Sequence, residues 1–225
     1  MNANAIKIFL VAWGWLATAG AFAQQTKASF YDDIRAFHHA DSLSFPAHRQ
    51  ILLVGSSSFT FWKDVATYFP KEKILNRGFG GSTLVDLIHY FDDVIRPYHP
   101  AHIVIYSGEN DFAYQQGLPV DSVVRRFERL FSMIRKMDAR VPVSYVSMKP
   151  SPSRRHLLAS YQAANDAIRK FLQGKPNTAF IDVYHAMIDT RGHMAGDLFR
   201  SDSLHLNEKG YALWQKIMSP YLARH

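Results

Sequence analysis

Residues 51–62 read ILLVGSSSFTFW. Four apolar residues run into Gly55, then three serines, then Phe59, Phe61 and Trp62. An uninterrupted apolar run of this length, closed by a glycine, is the pattern of a strand buried on both faces. Three hydroxyls directly behind it have two physical explanations. One is a turn that needs small polar residues. The other is a nucleophile presented at the carboxyl end of the strand.

The same grammar repeats along the chain. Further strand candidates are residues 73–76 (KILN), 102–108 (HIVIYSG), 141–148 (VPVSYVSM) and 178–183 (TAFIDV). Between them lie amphipathic stretches. A lead-in helix is expected over 28–39 and a short one around 60–68. Residues 83–95 put Leu84, Leu87, Ile88, Phe91 and Ile95 on one helical face, and Pro97 ends that segment. Residues 120–137 carry Val123, Phe127, Leu130, Phe131 and Ile134 at helical spacing. Helices are also expected over 157–172 and 207–222. Five strand–helix alternations predict a mostly parallel five-stranded sheet with helices on both faces. Ligands of such sheets bind beyond the carboxyl ends of the strands.

Composition narrows the chemistry. The chain has 225 residues, 48% of them apolar, which is ample for one core without a metal or disulfide staple. It has no cysteine, so thiol nucleophiles and cysteine metal sites are excluded. His38-His39 has no further ligand at metal spacing, so no metal or cofactor is expected. The formal net charge is +7, but the basic residues are scattered and no basic run is interleaved with aromatics. Nucleic acid is therefore not an expected partner. Residues 1–23 read as a secretory signal peptide: one lysine, Lys7, an apolar stretch, then Ala21-Phe22-Ala23 before Gln24-Gln25. The expected product is a single exported domain, 24–225, in the periplasm or outside the cell, with no stable membrane span after processing.

The segments behind the strands hold the reactive groups. They are Gly55 to Ser58, Asn76 to Thr83, Gly108-Glu109-Asn110-Asp111, and Ser201-Asp202-Ser203-Leu204-His205 before the last helix. Separately each passes for a turn, a polar loop or a cap. Together they supply an acyl-transfer site. A hydroxyl needs a base, and the base needs an orienting partner; His205 and Asp202 fit those roles. A tetrahedral intermediate needs donors, and the Gly81 backbone N–H, the Asn110 amide and the nucleophile's own N–H are candidates. The residues alone do not choose among Ser56, Ser57 and Ser58.

These four blocks, in this order, resemble the GDSL-type SGNH hydrolases, a family of flavodoxin-like esterases and lipases. The resemblance covers residues 50–222. It implies a three-layer α/β/α sandwich, with Ser57 as nucleophile, Asp202 and His205 completing the catalytic set, and Ser57, Gly81 and Asn110 forming the oxyanion hole. The Gly-Ser-Ser-Ser block is similar to platelet-activating-factor acetylhydrolase-like members. Ser56 stands where the family's signature aspartate belongs, and Ser58 where an aliphatic residue follows. The implied activity is hydrolysis of short acyl esters, acetyl on carbohydrate among them, since residues 115–120 are the longest insertion near the site. Lysophospholipase or thioesterase activity is an alternative, and so is a carbohydrate-binding protein that keeps the pocket without turnover. Phe59, Phe61 and Trp62 are expected to pack the first helix on the sheet. Lys149, Arg154 and Arg155, after the fourth strand, are expected to be solvated loop charge at the site's rim, with an anion-binding role as the alternative.

Overall fold

The structure is a computed structural model that describes residues 30–189 and 192–222. The leader assigned to residues 1–23 lies outside the described residues. Five strands are present: β1 (Ile51–Gly55), β2 (Ile74–Gly78), β3 (His102–Tyr106), β4 (Val143–Val146) and β5 (Thr178–Ile181). They pair in the order β2-β1-β3-β4-β5, every pair parallel. This is the doubly wound order in which the chain reverses direction between β1 and β3. The expected three-layer α/β/α sandwich is the architecture found.

Strand alternation divides the core in two. Leu52, Val54, Ile103, Ile105, Val143 and Tyr145 face one layer of helices. That layer contains α1 (Tyr31–Leu43), α4 (Leu84–His89), α5 (Phe91–Val94), α7 (Val120–Met137) and α8 (Leu158–Leu172). Ile51, Leu53, Val104, Tyr106 and Val146 face the other. There α2 (Ser57–Thr60), α3 (Val65–Tyr68) and α9 (Glu208–Leu222) pack around Trp62 and Trp214. The central strands are buried on both faces, which is why they read as continuous apolar runs rather than as alternation.

Three helical segments differ from expectation. The lead-in helix runs on to Leu43. The helix expected over 83–95 is broken at Tyr90, whose backbone (φ −93°, ψ 20°) leaves the helical region between α4 and α5. The helix expected around 60–68 is two single turns, α2 and α3, and the first begins at Ser57 itself. One helix escaped notice: α6 (Glu109–Tyr114) grows out of the GEND block. Its first three side chains are buried, so its polar composition imitates a loop.

Two glycines let the Ser56–Phe59 segment sit tightly on the sheet. Gly55 has φ +146°, and a Cβ there would lie 1.9 Å from the Tyr106 carbonyl oxygen. A Cβ on Gly78 would lie 2.7 Å from that of Phe59 on α2. Asn76 completes the seat. Its Nδ2 donates to the Phe59 carbonyl (2.7 Å) and its Oδ1 accepts from the Gly78 N–H (2.9 Å). Gly55→Ala combines a disfavoured φ with a backbone collision, so it is expected to destabilise the fold by about 2 kcal/mol or more in urea denaturation. A loss below about 0.5 kcal/mol would show that the strand end relaxes freely.

Candidate active site

All four sequence blocks meet at the carboxyl edge of the sheet. Ser57 opens α2, directly after β1. Of the three serines it alone is partly exposed; Ser56 and Ser58 are buried, at 2% and 1%. Burial therefore separates the hydroxyls where composition could not. Because α2 is one turn long, the Ser57 N–H gains little from a helix dipole.

His205 reaches Ser57 from the opposite end of the chain. Its Nε2 lies 3.1 Å from Ser57 Oγ, and its Nδ1 lies 2.6 Å from Asp202 Oδ2. An ionised carboxylate only accepts hydrogen bonds, so the proton sits on Nδ1 and leaves Nε2 to accept from the serine hydroxyl. The other carboxylate oxygen, Oδ1, accepts from the backbone N–H groups of Leu204 and His205, both at 2.9 Å. Ser203 adopts φ +57°, which folds Asp202 to His205 into one tight turn. Burial on its own would raise the Asp202 pKa, but the His205 and Leu204 amides and the imidazole outweigh it and hold the carboxyl down to about 2.

The imidazole is also held from its flank. Phe61 packs edge-on against His205, with ring centroids 4.6 Å apart. The Arg200 guanidinium covers the Phe61 ring at 5.0 Å, and the Arg200 backbone N–H donates to the His205 carbonyl (2.8 Å). The aromatic trio after the serines thus divides. Phe59 and Trp62 are fully buried, as expected, while Phe61 is partly exposed and belongs to the site.

The candidate oxyanion donors come from two loops that are bonded to each other. Asn110 Nδ2 donates to the Ser82 carbonyl (3.0 Å), and Asp111 Oδ2 accepts from the Leu84 N–H (2.9 Å). Asp111 is in turn held by Arg126 (2.7 Å). Thr83 caps α4 with a reciprocal capping box to Asp86. These bonds set the Gly81 loop against the start of α6. Gly81 has φ +87°, and a Cβ there would come within 3.1 Å of the Tyr114 hydroxyl and 3.9 Å of the Phe30 ring. Glycine is needed at Gly81 for its left-handed conformation, while the exposed Tyr114 ring can give way to a side chain. Tyr114 and Phe30 are neighbours of the site that sequence reading missed, and no spacing signal pointed to either.

The loop after β4 corrects a further expectation. Lys149 is not solvated rim charge; it is 1% exposed, and its ammonium lies 3.2 Å from both Glu109 oxygens. Burial pushes the Lys149 pKa down, and the neighbouring Glu109 carboxylate opposes that shift. Arg154 is largely buried as well, and its Nη2 donates to Asn110 Oδ1 (2.9 Å). Arg155 is exposed, as expected of loop charge.

Residues 44–213 match the GDSL-like lipase/acylhydrolase family. The chain belongs to that family. It is accordingly an ester-hydrolysing enzyme, and small-molecule esters are its substrate class. Solved structures share its fold at low identity. A Streptococcus pneumonia protein named for platelet activating factor is 20% identical, with a TM-score of 0.74, over 91% of this chain and 100% of that one. A GDSL-like lipase from Bacteroides thetaiotaomicron is 18% identical, TM-score 0.73, over 87% and 98%. A carbohydrate esterase family 3 protein from Talaromyces cellulolyticus is 17% identical, TM-score 0.61, over 78% and 97%. No curated protein matches the sequence significantly. Among the described residues, no helix of this family member is long and apolar enough to cross a membrane.

The Asp202 bonds are present above the ordinary carboxylate range and are lost as pH falls through the folded-state value. A carbon-detected NMR titration of the Asp202 carboxyl is therefore expected to show a midpoint near 2. A midpoint at or above the ordinary aspartate value of 3.8 would mean that His205 and the two amides do not hold the carboxylate.

Proposed function

We propose that the protein is an exported serine esterase that removes short acyl groups, acetyl in particular, from hydroxyl-bearing substrates such as carbohydrates. The observation that carries the chemistry is the unbroken chain from Ser57 Oγ through His205 to Asp202, at 3.1 and 2.6 Å. Ser57 Oγ attacks the acyl carbon while His205 Nε2 takes its proton. The carbonyl oxygen becomes an oxyanion that accepts from the Ser57 and Gly81 backbone N–H groups and from Asn110 Nδ2. Asn110 Nδ2 has two hydrogens, and the Ser82 carbonyl takes one, leaving the second for the oxyanion. Collapse breaks the ester C–O bond, and His205 returns the proton to the departing alkoxide. Water, deprotonated by His205, then attacks the acyl-Ser57 ester. The second collapse releases the carboxylic acid and restores the serine. Asp202 keeps the imidazole in the right tautomer and stabilises its charged form throughout.

A carbohydrate alcohol is supported by the surface beside the imidazole. An open groove there is lined by Phe61, Asp64, Tyr68, Asp197, Arg200 and Tyr211. Carboxylates, a guanidinium and aromatic faces side by side suit a ligand with many hydroxyls better than an alkyl chain. The carbohydrate-esterase name of the Talaromyces structure agrees with this reading.

Ser57→Ala is expected to lower kcat on an acetyl ester by about 10³-fold or more, because residues of such a set act as a unit. Ser56→Ala and Ser58→Ala are expected to cost far less, and a fluorophosphonate is expected to label Ser57. Rates on p-nitrophenyl esters are expected to fall with acyl length, with acetylated sugars turned over. Equal losses at all three serines would move the nucleophile. A preference for long acyl chains would favour lysophospholipase or thioesterase activity instead. Export rests on the leader at residues 1–23, and the mature N-terminus is expected at or within a few residues of Gln24. Terminal sequencing that reads Met1 in protein from the native compartment would overturn it.

A further inference from the structure

The segment Lys149-Pro150-Ser151-Pro152-Ser153-Arg154 is bonded both to Asn110 and to the Asp202–His205 turn. Its start is anchored at the end of β4. The Met148 N–H donates to Asn165 Oδ1 (2.8 Å), and Asn165 Nδ2 donates back to the Met148 carbonyl (3.0 Å). Lys149 then takes both oxygens of Glu109. Two prolines limit the backbone to extended and turn conformations on the way to Arg154. At the far end the Ser153 N–H donates to the Ser203 carbonyl, 3.1 Å away, inside the Asp202–His205 turn. Arg154 itself leaves helical geometry (φ −115°, ψ 27°) within a 3-10 segment.

The direction of the Arg154 fork is informative. Glu109 is its nearest carboxylate, yet Nη1 stays 3.9 Å from it. The short contact goes to a neutral acceptor, Asn110 Oδ1, at 2.9 Å. Lys149 already occupies both Glu109 oxygens, so the cluster sets two basic side chains against one carboxylate beside the Asn110 amide, with Asp202 the next carboxylate that Lys149 feels. A guanidinium on the amide oxygen withdraws electron density from its nitrogen and makes the remaining N–H a stronger donor. With the Ser82 carbonyl on Nδ2, it also fixes the rotation of the amide plane. An asparagine that can flip would present oxygen to the oxyanion instead of N–H.

We propose that Arg154 is a positioning residue that locks and polarises the Asn110 amide for the transition state. The proposal rests on the assignment of Asn110 as an oxyanion donor and goes beyond it, because Arg154 acts through Asn110 and not on the substrate. The consequence is a kcat effect that vanishes when Asn110 is gone. Loss of Arg154 leaves Lys149 and Glu109 as a neutral buried pair, so the fold is expected to survive it.

The test is a double-mutant cycle on an acetyl ester with wild type, Arg154→Met, Asn110→Ala and the double variant, with melting temperatures measured alongside. Arg154→Met is expected to lower kcat by about 10- to 100-fold with KM within about threefold, as for a misplaced catalytic donor. In the Asn110→Ala background the same change is expected to alter kcat by less than about threefold, since a shared function is lost only once. Equal kcat losses in both backgrounds would overturn the proposal. So would a raised KM with unchanged kcat, which would make Arg154 a substrate contact. If Arg154→Met melts early, Arg154→Lys takes its place in the cycle, with the same outcomes deciding. If Asn110→Ala keeps full kcat, the oxyanion assignment itself fails. If Asn110→Ala loses kcat and Arg154→Met does not, only the positioning role fails.

Discussion

Three consecutive polar side chains, Glu109, Asn110 and Asp111, are buried behind β3, and each must be paired or it destabilises the fold. The partners come from three parts of the site: the loop after β4, the Gly81 loop with the start of α4, and α7. Glu109 draws in Lys149 from the loop after β4. Asn110 holds the Ser82 carbonyl next to Gly81 and is held by Arg154. Asp111 caps the first N–H of α4 and binds Arg126 of α7. Satisfying these buried groups and assembling the reactive edge of the sheet are thus the same event. The loops cannot drift apart without stranding a polar group in the interior.

The site is also divided by charge. On one side an anion, Asp202, faces the imidazole and is kept ionised by two amides and the ring itself. On the other, the Lys149–Glu109–Arg154 cluster sets two basic side chains against one carboxylate, next to the amide proposed to receive the oxyanion. In the proposed mechanism, a developing imidazolium and a developing oxyanion would each meet the opposite sign. Under that mechanism the arrangement would lower the energy of charge separation during attack on the ester. The Ser153–Ser203 hydrogen bond joins the two halves, so the distance between them is set by backbone rather than by flexible side chains.

Much of this was legible in the one-dimensional chain. The apolar runs of β1 and β3 could be read directly, because strands buried on both faces cannot tolerate polar residues. The stripe on α7 was plain for a related reason: a long helix on the sheet must be apolar on one face. The four reactive blocks and their order identified the family, and Ser57, His205 and Asp202 do come within hydrogen-bonding distance. What failed were elements whose character depends on distant contacts. The GEND block looked like a loop because its polar side chains gave no sign that they would be buried. Residues 83–95 looked continuous because nothing in their composition marks the break at Tyr90.

The sequence by itself determined the layered α/β architecture, the reaction class and the identities of the groups that meet at the strand ends, since periodicity and residue chemistry are local properties. Only the tertiary structure decided which of three adjacent serines is open to solvent, that Phe61 leaves the core to flank His205, and that Lys149 and Arg154 turn inward. Those outcomes depend on which carboxylate, carbonyl or ring stands opposite each side chain. A charged residue in a proline-rich loop reads as solvated until a buried acid such as Glu109 is brought within hydrogen-bonding distance by folding.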